Sequence, residues 1–235
     1  MSFTNALPRL IAYRRRHGLR ATLKRATTEL RRTLFASWRA VNCCDLLDLR
    51  GMPAKLPAGL QVQRKRNAAE IAAQDLAEIL KHGIPAIIRR RMEARFEAGA
   101  VLWLIKSGNR LAGYRWSLQG RTMEPFFFPL TPKDVHLFDL LIFPEYRRQG
   151  LNQRSLQYVL SRLAEEGAER AFSDVAEWNR AQLASLRDTP LRPFGWARRF
   201  AFLRYNLVLW NTRRPLDAAA QVAGSQTELA ERLVS

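Results

Sequence analysis

The segment from Val135 to Asn152, VHLFDLLIFPEYRRQGLN, constrains the fold more than any other part of this 235-residue chain. Its first nine residues are almost continuously apolar, which is typical of a strand buried on both faces of a sheet. Pro144 ends that strand. From Arg148 to Gly167, apolar residues recur three or four positions apart, which indicates an amphipathic helix. The segment therefore predicts a buried strand, a short turn and a helix.

The first turn of this predicted helix has the chemistry of an anion site. The first amides of a helix have no partner within it and lie at the positive end of the helix dipole. Gly150 has no side chain to cover these amides, and Arg147 and Arg148 add positive charge beside them. The expected ligand is a phosphate group.

At these residues the sequence resembles the GNAT superfamily of N-acyltransferases, whose signature is Arg or Gln, two variable residues, Gly, one variable residue, then Gly or Ala. Arg147, Gly150 and Asn152 occupy the three signature positions, and Asn152 departs from the small residue of the family. The resemblance implies that acetyl-CoA or another acyl-CoA is the co-substrate, with its phosphates at this turn. The residues expected to bind it there are Arg147, Arg148, Gln149, Gly150, Leu151 and Asn152.

The elements predicted around this signature indicate an α/β (α+β) fold. Strands are expected at residues 60–66, 101–106, 111–118, 135–143 and 171–175, with a further strand-like pattern at 196–210. Helices are expected at residues 68–82, 85–98, 148–167 and 178–187. The resemblance implies a GNAT-like mixed central sheet flanked by helices, in an acyltransferase domain at residues 60–212. The tail at 215–235 is predicted to be a short helix or disordered.

The resemblance also implies where the acyl group is held. In the family, a backbone N–H on the buried strand binds the acyl carbonyl, and the matching positions are Leu141, Ile142 and Phe143. An Asn after the next strand contacts the pantetheine arm or the phosphates, and Asn179 matches it. Asn179 is equally well explained as the N-cap of the helix that follows.

An amine that attacks a thioester must be deprotonated, so a general base is expected. Asp139 is the first candidate, because apolar surroundings raise the pKa of a carboxyl group; the alternative is a buried carboxylate paired with an arginine. Glu177, at the end of the next strand, is the second candidate, and His136 is the third. Tyr205 and Ser185 are candidates for protonating the leaving thiolate, but neither matches the family's usual Tyr.

The N-terminal segment is strongly basic. Residues 1–39 contain ten Lys or Arg and one acid, Glu29, so 10 − 1 gives +9, half of the net charge of +18. Apolar residues recur on one helical face, at Leu19, Leu23, Ala26, Leu30 and Leu34. Residues 1–45 are therefore predicted to form a basic amphipathic helical extension. Such a helix suits an anionic membrane surface, an acyl carrier protein or RNA; alternatively, its leucine face packs on the core.

Other sequence features bear on the cellular location, the state of the cysteines and metal binding. No apolar run of signal-peptide or transmembrane length is found, so the expected location is the cytoplasm, at most peripheral to the inner face of a membrane. Cys43 and Cys44 are adjacent and are predicted to be reduced and buried. With three His and no clustered ligands, no metal site is expected.

Three functional hypotheses follow. The first is an acyl-CoA-dependent N-acyltransferase, most simply an acetyltransferase, whose acceptor is a primary amine that the sequence does not identify. The second keeps the fold but takes the acyl group from an acyl carrier protein or an aminoacyl-tRNA, since a basic protein attracts polyanionic partners. The third is a non-catalytic lipid-binding or nucleic-acid-binding module on the same fold.

Overall fold

A computed structural model of the protein describes residues 18–20, 22, 23, 27, 37–51, 55–123, 130–176, 179–202 and 205–212. Its strands are β1 (Ser37–Asp45), β2 (Leu60–Lys65), β3 (Val101–Ser107), β4 (Arg110–Gln119), β5 (Asp134–Ile142), β6 (Arg170–Ala176), β7 (Arg192–Phe202) and β8 (Tyr205–Thr212). Its main helices are α1 (Ala73–Lys81), α2 (Pro85–Glu97), α3 (Leu151–Glu165) and α4 (Arg180–Leu186). Within these described ranges, no helix has both the length and the apolar character needed to cross a membrane.

The strands form one eight-stranded sheet in the order β2-β3-β4-β5-β6-β1-β7-β8. Among these strands β5 and β6 run parallel, and the other neighbouring pairs are antiparallel. The expectation of a mixed central sheet flanked by helices is therefore confirmed. The parallel pair marks a candidate site, because the crevice beyond the carboxyl ends of parallel strands is a common ligand site in α/β folds.

The end of the predicted N-terminal helical extension is a strand. β1 lies between β6 and β7 and pairs with both. Cys43 packs with Phe172 on one face of the sheet, whereas Cys44 packs with Leu46 on the other. A central strand that is buried on both faces does not show alternating polarity, so the sequence pattern did not separate it from the helix. Helical residues are found at 18–20, 22, 23 and 27.

Two other predicted elements are each two separate elements in the structure. The helix expected at residues 68–82 becomes a 3₁₀ turn at Ala68–Glu70 followed by α1. The Asn67 side chain caps the turn by accepting a bond from the Glu70 N–H at 3.1 Å, and extended backbone at Ile71 ends it. The strand-like pattern at 196–210 is the antiparallel pair β7 and β8.

Helices cover both faces of the sheet around β5. On one face, Leu156 and Leu160 of α3 pack against Trp103 and Leu137. On the other, α1 and α2 contribute Ile79 and Met92 to a cluster that contains Trp116 and Phe143. These two layers fix β5 and the start of α3, which carry the predicted site.

The two cysteines are free and buried, as predicted. Burial, reinforced by the charge of Asp45, raises the pKa of Cys43 to about 12 and that of Cys44 to about 11. Both thiols therefore stay protonated near neutral pH, and a protonated thiol is a poor nucleophile.

Candidate active site

A slot opens between the carboxyl halves of β5 and β6. The two strands pair from Asp134↔Arg170 to Leu137↔Ser173 and no further, although β5 continues to Ile142 and β6 to Ala176. The backbone groups beyond Leu137 on the β6 side of β5 are therefore not used by this strand pair. Such groups can bind a ligand placed in the slot.

A β-bulge marks the part of β5 that borders the slot. Asp139 has φ of +47°, which is unusual for a residue other than Gly. The register of β5 against β4 shifts between Tyr114 and Trp116, opposite this residue. On β4, Gly113 faces Ile142, and a Cβ at Gly113 would lie 2.4 Å from the Leu141 carbonyl oxygen. The close approach of the two strands therefore requires Gly at this position.

The hydrogen-bond pattern of β5 shows which of the three predicted carbonyl-binding amides, those of Leu141, Ile142 and Phe143, faces the slot. The Phe143 N–H donates to the Ala112 carbonyl at 2.9 Å, so it is not available to a ligand. Antiparallel pairs alternate, which turns the Leu141 amide toward β4 and the Ile142 amide toward the slot. The Arg147 Nε donates to the Ile142 carbonyl oxygen at 3.1 Å, in agreement with this orientation. Of the three, only Ile142 presents its amide to the slot.

The turn that follows β5 has the form expected of a phosphate site. A 3₁₀ turn at Pro144–Tyr146 leads to Arg148, with φ of +63°, and to Gly150, which is the N-cap of α3 with φ of +69°. Residues 147–150 are exposed, and among the described residues no side chain caps the helix. Leu151 is buried and anchors the first turn in the core. The predicted residues 147–152 are therefore brought together around open helix amides.

Asn152, which stands where the family has a small residue, binds a buried arginine. The Asn152 Oδ1 accepts a bond from Arg115 Nη2 at 2.5 Å, and its Nδ2 donates to Ser185 Oγ at 3.0 Å. Arg115 is 4% exposed, and within the described chain its Nε has no partner. Burial lowers the pKa of the Arg115 guanidinium to about 9. Asn152 therefore links β4, α3 and α4.

Replacing Asn152 with Ala is expected to lower the free energy of unfolding by about 1–3 kcal/mol, because the Arg115 guanidinium would stay buried without this acceptor. Urea unfolding monitored by circular dichroism measures the change. The double variant Arg115→Met/Asn152→Ala removes both polar partners and should recover part of the loss. An Asn152→Ala protein as stable as the wild type would show that this bond contributes nothing.

Four other predicted site residues have different outcomes. The Asn179 Oδ1 accepts a bond from the Gln182 N–H at 3.3 Å, so Asn179 is the N-cap of α4, and its ligand role stays a prediction. Ser185 donates to the Gln182 carbonyl at 2.8 Å while it binds Asn152, so its hydroxyl is already engaged. Tyr205 begins β8, three strands from β6 and therefore about 14 Å away. Glu177 lies outside the described residues.

Asp139 is not the buried carboxylate that the apolar strand predicted. Its side chain is 43% exposed, because the bulge turns it out of the strand, and it forms an ion pair with Arg95 Nη1 at 2.6 Å. The Arg95 guanidinium lies over the rings of Trp116 and Phe138, at 5.0 and 5.3 Å from their centroids. The pairing with an arginine is thus found, whereas the burial is not. An exposed carboxylate at the bulge can be reached by an incoming amine.

Sequence reasoning missed two polar residues near the bulge. Tyr114 lies opposite Leu141, and burial together with the nearby Asp139 carboxylate raises the pKa of its phenol to about 12. Its signal in the sequence was a hydroxyl inside an otherwise apolar strand. Asp174 of β6 binds the predicted His136, with 2.7 Å between Oδ1 and Nε2; His136 is buried and Asp174 is partly buried. No local pattern joins two residues that are 38 positions apart.

The raised pKa of Tyr114 predicts that this phenol ionises near pH 12, above the ordinary value of 10. Its neutral form is favoured in the folded protein. The resulting contribution to stability is present below pH 10 and is lost as the pH rises toward 12. The measurement is a pH titration of phenolate absorbance in the wild type and in Tyr114→Phe. The difference between the two curves gives the ionisation of Tyr114. A difference curve centred near pH 10 in protein that is still folded would contradict this assignment.

The sequence of this chain matches the model of one protein family. The model of the Acetyltransferase (GNAT) family matches residues 69–187, just over half of the chain. The matched range includes the bulge, the slot and the turn at the start of α3. The chain belongs to the GNAT acetyltransferase family. GNAT membership supports N-acyltransferase activity in general.

Solved structures resemble this GNAT chain weakly. A conserved protein of unknown function from Staphylococcus epidermidis ATCC 12228 is 11% identical, with a TM-score of 0.47 over 76% of this chain and 64% of that chain. A protein of the GNAT family from Novosphingobium aromaticivorans DSM 12444 is 12% identical, with a TM-score of 0.45 over 76% and 66%. A tandem GNAT protein from the clavulanic acid biosynthesis pathway is 16% identical, with a TM-score of 0.45 over 78% and 55%.

This chain therefore spans less than two thirds of the length of each of these three structures. Among curated proteins, none matches the sequence significantly.

Proposed function

We propose that this protein is an acyl-CoA-dependent N-acyltransferase that transfers an acetyl group to a primary amine. One observation carries the proposal. Three features follow one another along a single segment of the chain: the bulge, the Ile142 amide that faces the slot, and the uncapped first turn of α3. This segment supplies a site for a carbonyl group and a site for phosphates at the two ends of one slot. An acyl-CoA carries both groups on one molecule.

Binding of the donor would depend mainly on the turn at the start of α3. The open amides around Gly150 and the positive end of the helix would hold the pyrophosphate. Arg148 is exposed beside them and adds a charge-assisted contact. Arg147 has a second task, because its Nε donates to the Ile142 carbonyl and so ties the turn to β5. The pantetheine arm would then run along the slot toward the bulge.

Acyl transfer would take place at the bulge. The Ile142 N–H would donate to the thioester carbonyl and stabilise the charge that develops on its oxygen when the amine attacks. The Asp139 carboxylate would take the amine proton, directly or through a water molecule. The carbon–sulfur bond then breaks, and the thiolate needs a proton. The phenol of Tyr114, which lies opposite Leu141, is our candidate for donating this proton, and solvent would return a proton to the phenol.

The alternative donors keep the attack of an amine on an acyl carbonyl and change the partner. An acyl carrier protein presents the same thioester, whereas an aminoacyl-tRNA presents an ester, so its carbon–oxygen bond breaks and the ribose hydroxyl leaves with a proton. An acyl carrier protein or an aminoacyl-tRNA carries many negative charges, and the chain has a net charge of +18. Binding of such a partner would weaken strongly as salt concentration rises, whereas binding of free acetyl-CoA would weaken less because fewer charges are involved. Affinities for acetyl-CoA and for a charged tRNA at two salt concentrations distinguish these donors.

The test of the proposed function is the release of free CoA from acetyl-CoA in the presence of a panel of amines. The wild type should release CoA with at least one amine, and mass spectrometry should find that amine acetylated. Asp139→Asn should lower kcat/KM by about 10²-fold or more while acetyl-CoA still binds. Glu93→Gln, at an exposed acid of α2, is the charge-matched control. If Asp139→Asn keeps full activity, Asp139 is not the base.

A further inference from the structure

The helical residues in the N-terminal basic segment present leucine side chains to solvent. Leu19 is 55% exposed and Leu23 is 57% exposed, whereas Thr22 is 8% exposed and bonds the Gly18 carbonyl. Residues four positions apart lie on the same side of a helix, so these two leucines form one exposed apolar face. At these two positions, the expectation that the leucine face packs on the core is wrong.

In the sequence, positively charged residues flank these leucines. Arg20 lies next to Leu19 and is exposed. In the sequence, Lys and Arg recur on both sides of the leucine positions, at Arg16, Arg20, Lys24, Arg25, Arg31 and Arg32. Residues 1–39 carry +9 in total. The spacing of the leucines continues in the sequence through Ala26, Leu30 and Leu34. An aliphatic stripe bordered by cations is typical of helices that lie in the interface of an anionic bilayer.

We propose that the leucine face around Leu19 and Leu23 docks on an anionic lipid bilayer. The leucine side chains enter the boundary between headgroups and acyl chains, and the flanking Lys and Arg contact lipid phosphates. RNA explains the charge equally well, but phosphate contacts and base stacking leave two aliphatic side chains exposed. A lipid surface accounts for both features, so the observations favour it. The helix lies on the membrane in this proposal and does not span it.

Sedimentation of the full-length protein with lipid vesicles tests the proposal. One set of vesicles is phosphatidylcholine alone, and the other contains equal parts of phosphatidylcholine and phosphatidylglycerol. We expect binding to the second set only, with an affinity that falls as salt concentration rises. The variant Leu19→Ser/Leu23→Ser keeps every charge. We expect it to bind the mixed vesicles at least about tenfold more weakly, because two half-exposed leucines lose their burial in lipid.

Two controls keep the test specific. Leu47 is 53% exposed but lies in the 3₁₀ turn at Leu47–Leu49, outside the basic segment, so Leu47→Ser should bind vesicles like the wild type. Circular dichroism and acetyl-CoA binding should be unchanged in both variants, because none of these leucines belongs to the candidate active site. The result is thus independent of whether the proposed acyl transfer is correct.

Several results would overturn the proposal. The first is that the wild type binds neutral vesicles as tightly as mixed vesicles. The second is that it does not bind mixed vesicles. The third is that the double serine variant binds mixed vesicles as tightly as the wild type. Homopolymeric RNA is the competing ligand: if the leucine substitutions weaken RNA binding as much as vesicle binding, the face is not a lipid-specific surface. A wild-type dimer that the substitutions convert to a monomer would assign the face to self-association instead.

Discussion

Gly113→Ala is expected to lower the free energy of unfolding by about 3 kcal/mol and to abolish detectable acyl transfer. The new Cβ would lie 2.4 Å from the Leu141 carbonyl oxygen and 3.0 Å from the Ile142 Cα. Both atoms belong to the backbone of β5, so neither can move without separating the two strands. The strands would part at the bulge, where the Ile142 amide is held. Urea unfolding and the CoA-release assay measure the two effects.

Gly83→Ala is the matched control for this prediction. A Cβ at Gly83 would meet only the Ile88 side chain, with Cδ1 at 3.0 Å, and a side-chain terminus can rotate away. Neither glycine has a positive φ, so the two substitutions differ mainly in what the new methyl group contacts. Equal stability losses in the two variants would show that the close approach at Gly113 has no special cost.

Gly150→Glu is expected to weaken acetyl-CoA binding by at least about 100-fold, or about 3 kcal/mol. The substitution places a carboxylate beside the open amides of α3, where it occupies their donors and repels phosphate. It also strains a backbone that has φ of +69°. The measurement is isothermal titration calorimetry of acetyl-CoA with wild type and variant at the same salt concentration.

Gly167→Glu separates strain from phosphate binding. Gly167 has φ of +91° and open space around it, so the same substitution carries a similar backbone cost. It follows the opposite end of α3, far from the turn that binds phosphate in our proposal. Acetyl-CoA should bind this control like the wild type. If both glutamate variants lose binding together, general destabilisation explains the loss and the phosphate site is not supported.

The parts of the fold that follow local rules were predictable from the sequence. The strand–turn–helix around Gly150 was predictable because apolar periodicity, a Pro and a Gly mark each boundary. The signature residues 147–152 lie close together in the chain, so their proximity in space followed directly. β1 was not predictable in this way, because Cys43 and Cys44 are buried on opposite faces and the helical charge pattern precedes them without a break.

The contacts that define the chemistry depend on distant parts of the chain. The departure at Asn152 became intelligible only when the fold placed it beside Arg115, 37 residues earlier. Asp139 looked buried because its neighbours in the strand are apolar, but the bulge turns it outward to Arg95. Strand twist and register determine which way such a side chain points. The position of a bulge depends on the partner strand and could not be predicted from this sequence alone.

Calorimetric titration of the wild type with acetyl-CoA at moderate salt tests the central claim, that the slot and the first turn of α3 form an acyl-CoA site. We expect one site per chain with a dissociation constant in the micromolar range, or about −8 kcal/mol. No heat of binding from a folded, monodisperse protein would contradict it and would direct attention to acyl carrier protein and aminoacyl-tRNA as donors.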